Sequence, residues 1–237
     1  MSAPRTPSAE REPRGARRKR ETRDRLLAAA YRLIAERGVD AVAINEITEA
    51  ADVGFGSFYN HFPSKEAIYD EVFRQVFEEF GDALDRLTST VEDPAEVIAV
   101  CVRHTILRAR DEPRWGRFFL RESLTPRGMT GGLATRLQRD ILNGVAKKRF
   151  AVGDPLMAMI MAGGTVVSSV AAQSALQLSP NGLGKGLGVD AKNLAERAAA
   201  TVLHGLGIAG AEASRIARRR LPPVETPPSI LSRESSS

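Results

Sequence analysis

From Thr22 to about Leu206 the apolar residues recur at three- and four-residue steps, and no stretch shows the strict alternation of a half-buried strand. That pattern constrains the chain to stacked helices. Leu26, Leu27, Ala30, Leu33 and Ile34 form one stripe, which Gly38 closes as a helix C-terminus. Ile44, Ile47, Ala50 and Ala51 mark a short second helix. Asp52 to Gly54 reads as a turn, Phe55 to Phe62 as a third helix of two turns, and Ser64 as the N-cap of a long fourth. On the fourth, Ile68, Val72 and Val76 run beside a second stripe of Tyr69, Phe73, Phe77, Phe80 and Leu84. An apolar arc that wide is buried on two sides, so this helix is a strut between an N-terminal and a C-terminal unit.

The remainder reads as helices too. Asp93-Pro94 opens one that runs to about Arg110, Asp111 to Pro113 breaks it, and Trp115, Phe118 and Phe119 lie on the next. Leu133, Leu137, Ile141 and Leu142 mark another. Two long segments, 154–178 and 190–206, flank the Gly-rich run "SPNGLGKGLG", and a basic helix ending "RIARRR" precedes a Pro/Ser tail. The expected division is a disordered basic arm (1–20), a unit of short helices (21–66), a helical C-terminal domain (67–220) and a disordered tail (221–237).

Charge locates a partner. The chain carries a net charge of +5. Residues 1–20 hold seven basic side chains against two acidic ones, which is the excess of the whole protein. A Pro/Ser/Arg-rich arm of that kind is expected to be disordered when free and to meet an anionic partner, nucleic acid or a membrane surface. No secretory leader is expected, because no apolar core follows the basic N-terminus. No membrane span is expected either, since the run around Leu156 to Val167 is interrupted by Gly163 and Gly164. The single cysteine, Cys101, excludes an internal disulfide framework and suits a reducing cytoplasm.

The stretch "VGFGSFYNHFPSK" (53–65) has an odd composition. Phe55, Phe58, Tyr59 and Phe62 are interleaved with glycines and short polar residues. Two short helices joined by a three-residue turn, after a longer first helix, make a helix-turn-helix, whose second helix enters the DNA major groove. Phe58 and Phe62 then pack inward, Gly54 and Gly56 let backbone approach the duplex, and Ser57, Tyr59, Asn60 and His61 present hydrogen-bonding tips. Lys65 adds a cation where a helix N-terminus already favours phosphate. Residues 43–62 contain no Lys or Arg, so further phosphate neutralisation falls on Arg17, Arg18, Lys19, Arg20 and Arg23.

The run "INEITEAADVGFGSFYNHFPSKEAIYDEVF" resembles the DNA-binding signature of the TetR family of bacterial transcriptional regulators, through Gly56, Ser57, Phe58, Tyr59, His61, Phe62, Lys65 and Ile68. The match covers about Thr22 to Phe80. It implies an all-α protein, with an N-terminal three-helix helix-turn-helix domain joined to a helical ligand-binding and dimerisation domain. Residue by residue, it implies Tyr59, His61 and Lys65 on phosphates, and Phe55, Gly56, Ser57 and Asn60 toward base edges. The chain departs from the family pattern at three positions: Asp52 replaces a turn glycine, Gly54 a capping Ser/Thr, and Ala43 a Thr before the second helix.

Beyond that unit the candidate ligand contacts are Cys101, His104, Trp115, Phe118, Phe119, Met157 and Met161, read against the alternative that they are plain core. Arg103, Arg108, Arg110, Arg114, Arg117 and Arg121 read as a solvated cationic face, with an anionic ligand as the alternative. The small residues of "AGGTVVSSVAAQSAL" and "NLAERAAATVLHGL" suit a close-packed homodimer seam through 154–178 and 190–206, with packing inside one subunit as the alternative. No nucleophile, acid–base pair, phosphate loop or metal-ligand spacing occurs, so neither an enzyme nor a cofactor is expected. The reading is a homodimeric repressor of a palindromic operator, released by a small, largely apolar effector. The alternative is a nucleoid or cell-division factor built on the same DNA-binding unit without a ligand.

Overall fold

A computed structural model describes residues 13–178 and 192–224, which form twelve α-helices, one π-helical turn and no strand. Helix α1 (Arg14–Arg37) buries Leu26, Leu27, Ala30 and Ile34 along its inner face. It ends at Gly38, whose φ of 85° suits glycine and whose N–H reaches the Ile34 carbonyl at 2.8 Å. Arg14 to Arg20, expected in a disordered arm, are the first turns of α1. Arg and Lys are good helix formers, and Arg17 pairs with Glu21 one turn on at 3.4 Å. Residues 1–12 of that arm lie outside the described residues, as do 179–191 and 225–237. Residues 221–224 are not free tail: Val224 packs against the core, and the Pro222 carbonyl lies 3.0 Å from His104 Nε2.

Helix α2 (Ile44–Ala50) leads to Asp52, which sits at φ 51°, the left-handed backbone expected of the turn. Helix α3 (Phe55–Phe58) is one turn, shorter than the expected Phe55–Phe62. After Phe58 the chain tightens into i→i+3 bonds, Asn60 N to Ser57 O and His61 N to Phe58 O. Helix α4 (Lys65–Phe73) starts at Ser64, whose hydroxyl accepts from Ala67 N at 3.2 Å. It passes through the π-helical turn Arg74–Glu78 into α5 (Glu79–Thr88), completing the strut.

Helix α6 (Pro94–Asp111), capped by Asp93, is the axis of the C-terminal unit. Around it pack α7 (Pro113–Glu122), α9 (Gly132–Ala146), α10 (Pro155–Leu178), α11 (Leu194–Gly205) and α12 (Gly210–Ala217). A one-turn helix, α8 (Pro126–Thr130), has no counterpart among the sequence-based expectations. It is capped by Thr125 and approaches α7 so closely that a Cβ on Gly128 would lie 1.9 Å from the Glu122 carbonyl oxygen.

The two units share one aromatic seam. Tyr31 of α1 meets Phe118 of α7 at 5.5 Å between centroids, Phe118 meets Phe77 of the strut at 5.6 Å, and Trp115 stacks on Phe119 at 5.2 Å. Trp115 and Phe118, at 1% and 0% exposure, are core. The middle-helix arginines are not simply a solvated face. Arg108 lies over the rings of Phe80 and Trp115 at 4.7 and 5.0 Å, and Arg103 donates to Glu196 and to the Arg219 carbonyl.

Helix α10 runs through the two glycines expected to interrupt it. Its segment Pro155–Leu176 has mean hydropathy 1.6 and is long enough to cross a bilayer, with 22% of that window buried inside the chain. Gly163 and Gly164 do not interrupt it, because both are helical. A stripe of Leu156, Met157, Ile160, Gly164, Ser168 and Ala171 is exposed and uncharged along its length.

Candidate nucleic-acid interface and ligand cavity

The turn from α2 to α3 fixes the first site. Phe58 and Phe62 are buried, each contributing about 2 kcal/mol of apolar transfer to the N-terminal core. Their neighbours Phe55 and Tyr59 remain half exposed, with ring centroids 5.7 Å apart, and Tyr59 also packs edge-on against Phe58. Tyr59 is thereby oriented from beneath. Gly56 and Asn60 are exposed beside it and Ser57 is half-buried. Neither Gly54 nor Gly56 is demanded by the fold: a Cβ on either would meet nothing within 4 Å, and neither has a positive φ. Bare backbone is presented outward on the surface that carries Phe55 and Tyr59. Gly54 and Ala43 supply no side-chain cap to α3 or α2, although Glu46 accepts from the Ala43 N–H at 2.8 Å.

His61 stands between this surface and α1. Partial burial, and then the charges of Lys19 and Arg23, hold its imidazole below the ordinary histidine range. Those same charges place the basic turns of α1 beside the end of the recognition segment. Arg17, Arg18, Lys19 and Arg20 are exposed there. Arg23 is tied down more than expected, lying over the Phe62 ring at 5.0 Å and pairing with Glu71 at 3.2 Å. Lys65 is half-buried at the first residue of α4.

The second site is a cavity of about 230 Å³ inside the C-terminal unit. Phe73 and Phe77 of the strut, Phe119 of α7, Met129 of α8, Leu133 and Leu137 of α9, and Met159 and Val167 of α10 give it an apolar wall. Asp85, Cys101, Thr105, Arg136 and Asp140 are its polar side. Of the seven residues anticipated, Cys101 and Phe119 line it. Trp115 and Phe118 do not, being core behind Phe119. His104 turns away toward Pro222, Met157 is exposed on α10, and Met161 lies against Gly205 of α11. Burial pushes the Cys101 thiol up to about 12, so it stays protonated. Asp85, Arg136 and Asp140 escape sequence reasoning because they are scattered over fifty-odd positions and each resembles a surface charge. Among the described residues no group of His, Cys, Asp and Glu could hold a metal ion.

The end of α7 ties the cavity to the DNA-binding unit. Arg121 donates to the Ala35 and Glu36 carbonyls at the end of α1, at 3.1 and 2.6 Å. The Tyr69 hydroxyl of α4 donates to buried Glu122. Arg127 of α8 pairs with Asp70 and lies over the Tyr69 ring at 4.8 Å. Phe119 and Ser123, on either side of these contacts, are cavity wall.

Two family models match the chain, one in each unit. Residues 26–72 match the family model described as bacterial regulatory proteins, tetR family, and residues 93–219 match the tetracyclin repressor-like C-terminal domain. The HTH-type transcriptional repressor DhaR of Mycobacterium sp. strain GP1 is 42% identical over 71 residues, 30% of this chain and 34% of that protein. The repressor KstR2 of Mycolicibacterium smegmatis is 38% identical over 74 residues, 30% of this chain and 36% of that one. The matched stretch thus spans about a third of these curated relatives' length. The crystal structure of RolR in complex with resorcinol superposes with a TM-score of 0.65 at 35% identity, covering 89% of this chain and 100% of that one. The chain belongs to the TetR family of bacterial regulatory proteins.

Proposed function

We propose that the chain is a homodimeric transcriptional repressor that binds a near-palindromic DNA operator and is released by a small, largely apolar effector. The observation that carries this reading is the shared wall. Phe73 of α4 and Phe119 of α7 line the cavity, while Tyr69–Glu122 ties α7 to α4 and Arg121 ties it to the end of α1, two helices of the N-terminal unit that carries the recognition segment. A ligand that favours one placement of α7 over another therefore has a mechanical path to the spacing of the two recognition helices. Only its differential affinity, of about 1–3 kcal/mol in coupled systems, drives the shift.

In this reading Phe55, Gly56, Ser57 and Asn60 face base edges, Tyr59, His61 and Lys65 hold phosphates, and Arg17, Arg18, Lys19 and Arg20 extend the phosphate track along α1. Two recognition helices about 34–36 Å apart suit successive major grooves. The uncharged stripe of α10, with α11 beside it, is covered by the partner copy rather than by lipid. A DNA operator as partner supports a cytoplasmic location. RolR holds resorcinol, a molecule of one ring, and a cavity of about 230 Å³ takes a molecule of that size. A cavity with polar groups also speaks against the ligand-free nucleoid factor, for which a filled core is expected.

The test is fluorescence anisotropy of the protein on a DNA fragment it selects, titrated with small aromatic molecules. Release by one of them, with unchanged protein helicity, is the expected result. Binding that no cavity-sized molecule alters would contradict the effector half of the reading.

A further inference from the structure

Asp140 is the unfinished group on the cavity wall. It is 9% exposed, and its Oδ1 accepts from Arg139 Nε at 2.8 Å, while no described side chain donates to Oδ2. The other two charged groups on the wall are saturated. Asp85 takes Arg136 at 3.0 Å and Arg139 at 2.7 Å, and Arg136 also holds Glu78, Asp82 and the Gly132 carbonyl. Thr105 lines the same wall, and its hydroxyl proton is already given to the Cys101 carbonyl at 2.8 Å, so its oxygen retains lone pairs.

The local charge excludes one class of ligand. Glu78, Asp82, Asp85 and Asp140 surround Arg136 and Arg139, the two arginines paired with them, and both are engaged with those carboxylates. An anionic ligand would meet net repulsion with no cation left to receive it. A full cation would lose its hydration to walls such as Leu133, Leu137 and Val167, which return nothing. A carboxylate oxygen that opens on an apolar cavity with no side-chain donor is free to accept a hydrogen bond, and a neutral donor supplies one without adding charge. Burial raises the Asp140 carboxyl above the ordinary range, as expected where water has little access.

We propose that Asp140 is the ligand-reading residue of the cavity. Its Oδ2 accepts a hydrogen bond from the hydroxyl of a neutral, compact, ring-sized apolar molecule, and Thr105 Oγ1 takes a second donor where the molecule has one. This rests on the effector reading above only in taking the cavity as the occupied site. It makes hydroxylated aromatics the effector class and sets carboxylates and amines aside.

Calorimetry on the full-length, DNA-free protein tests it with four probes of one body: 3-methylphenol, 3-methylanisole, 3-methylbenzoate and 3-methylbenzylammonium. The phenol is expected to bind about 10- to 100-fold more tightly than the other three, the range for a hydrogen bond to a charged acceptor. Asp140→Asn should bring phenol and anisole to within about threefold of each other. Trp115 fluorescence, through its stack on Phe119, gives an independent readout. Equal binding of phenol and anisole to the wild-type protein, tighter binding of the carboxylate or the ammonium, or binding by none of the four would overturn the proposal. Each of those outcomes is read on the wild-type protein alone, so a variant that fails to fold does not protect it. A phenol that binds as expected but leaves the DNA complex intact would instead contradict the effector reading and leave the role of Asp140 standing.

Discussion

Phe55 and Tyr59 in the N-terminal unit, and Leu156 and Ile160 in the C-terminal one, are all large side chains left about half exposed, at 53, 51, 63 and 46%. Their surroundings separate them. The two aromatics stand among Ser57, Asn60 and His61 with bare glycine backbone alongside, a surface of hydrogen-bonding tips. The two aliphatics stand on a helix without a charged residue, beside Gly164, Ser168 and Ala171. The first arrangement suits a polar, patterned partner such as a DNA groove. The second suits a close-packed apolar one such as a second copy of the same helix. Exposure alone names no partner; the chemistry of the neighbours says what kind of partner each surface suits.

The comparison can be broken at both ends. The largest expected effect is inside the N-terminal unit, where Phe58→Ala should lower unfolding free energy by about 3–5 kcal/mol in denaturant titrations. In the C-terminal unit, Ala171→Glu places a charge in the α10 stripe. It should yield a monomer by sedimentation and weaken operator binding by about 100-fold or more through lost bivalency. A dimer that survives this change would move the seam elsewhere. Tyr59→Ala should weaken DNA binding about 10-fold with stability altered by no more than about 1 kcal/mol, the reverse of the effect at adjacent Phe58.

Smaller effects sharpen the picture. Arg74 above all, with Gln75 and Arg23, holds the Glu71 carboxyl down to about 2. Its folded value is depressed, so its stabilisation is complete above the ordinary carboxylate range and disappears as pH falls toward 2. Thermal melts between pH 5 and pH 2 should show that loss, and Glu71→Gln should flatten it. Finally, Gly54→Ser restores the missing N-cap of α3 and should raise stability by a few tenths of a kcal/mol, read from the denaturation midpoint.

The same contrast explains what the sequence revealed. The N-terminal unit is legible because its boundaries are local signals: Gly38 stops α1, Asp52 turns the chain and Ser64 caps α4. Even there, the early end of α3 is not, because no Gly or Pro marks it: the chain tightens into i→i+3 bonds at Asn60 and His61 without a breaker between Phe58 and Phe62. Arg14 to Arg20 have the charge of an arm, while helix propensity and the Arg17–Glu21 pair carry α1 through them. The helices of the C-terminal unit are legible from the same periodicities, but the cavity is not. Phe119 and Asp140 share a wall only because α7 and α9 fold over the strut, and nothing within one helix distinguishes Phe119 from buried Phe118. The exposed stripe of α10 is visible as small residues, whereas its length and hydropathy match a membrane span only because the helix runs unbroken through Gly163 and Gly164.

The proposed function requires two copies of this chain to read DNA together through the Phe55–Lys65 surface. Selection of bound genomic fragments by the purified full-length protein tests it most directly. The expected result is enrichment of a short inverted repeat whose half-sites lie about one helical turn apart or a multiple of it. Broad enrichment with no shared motif, or a single half-site without its inverted partner, would contradict it.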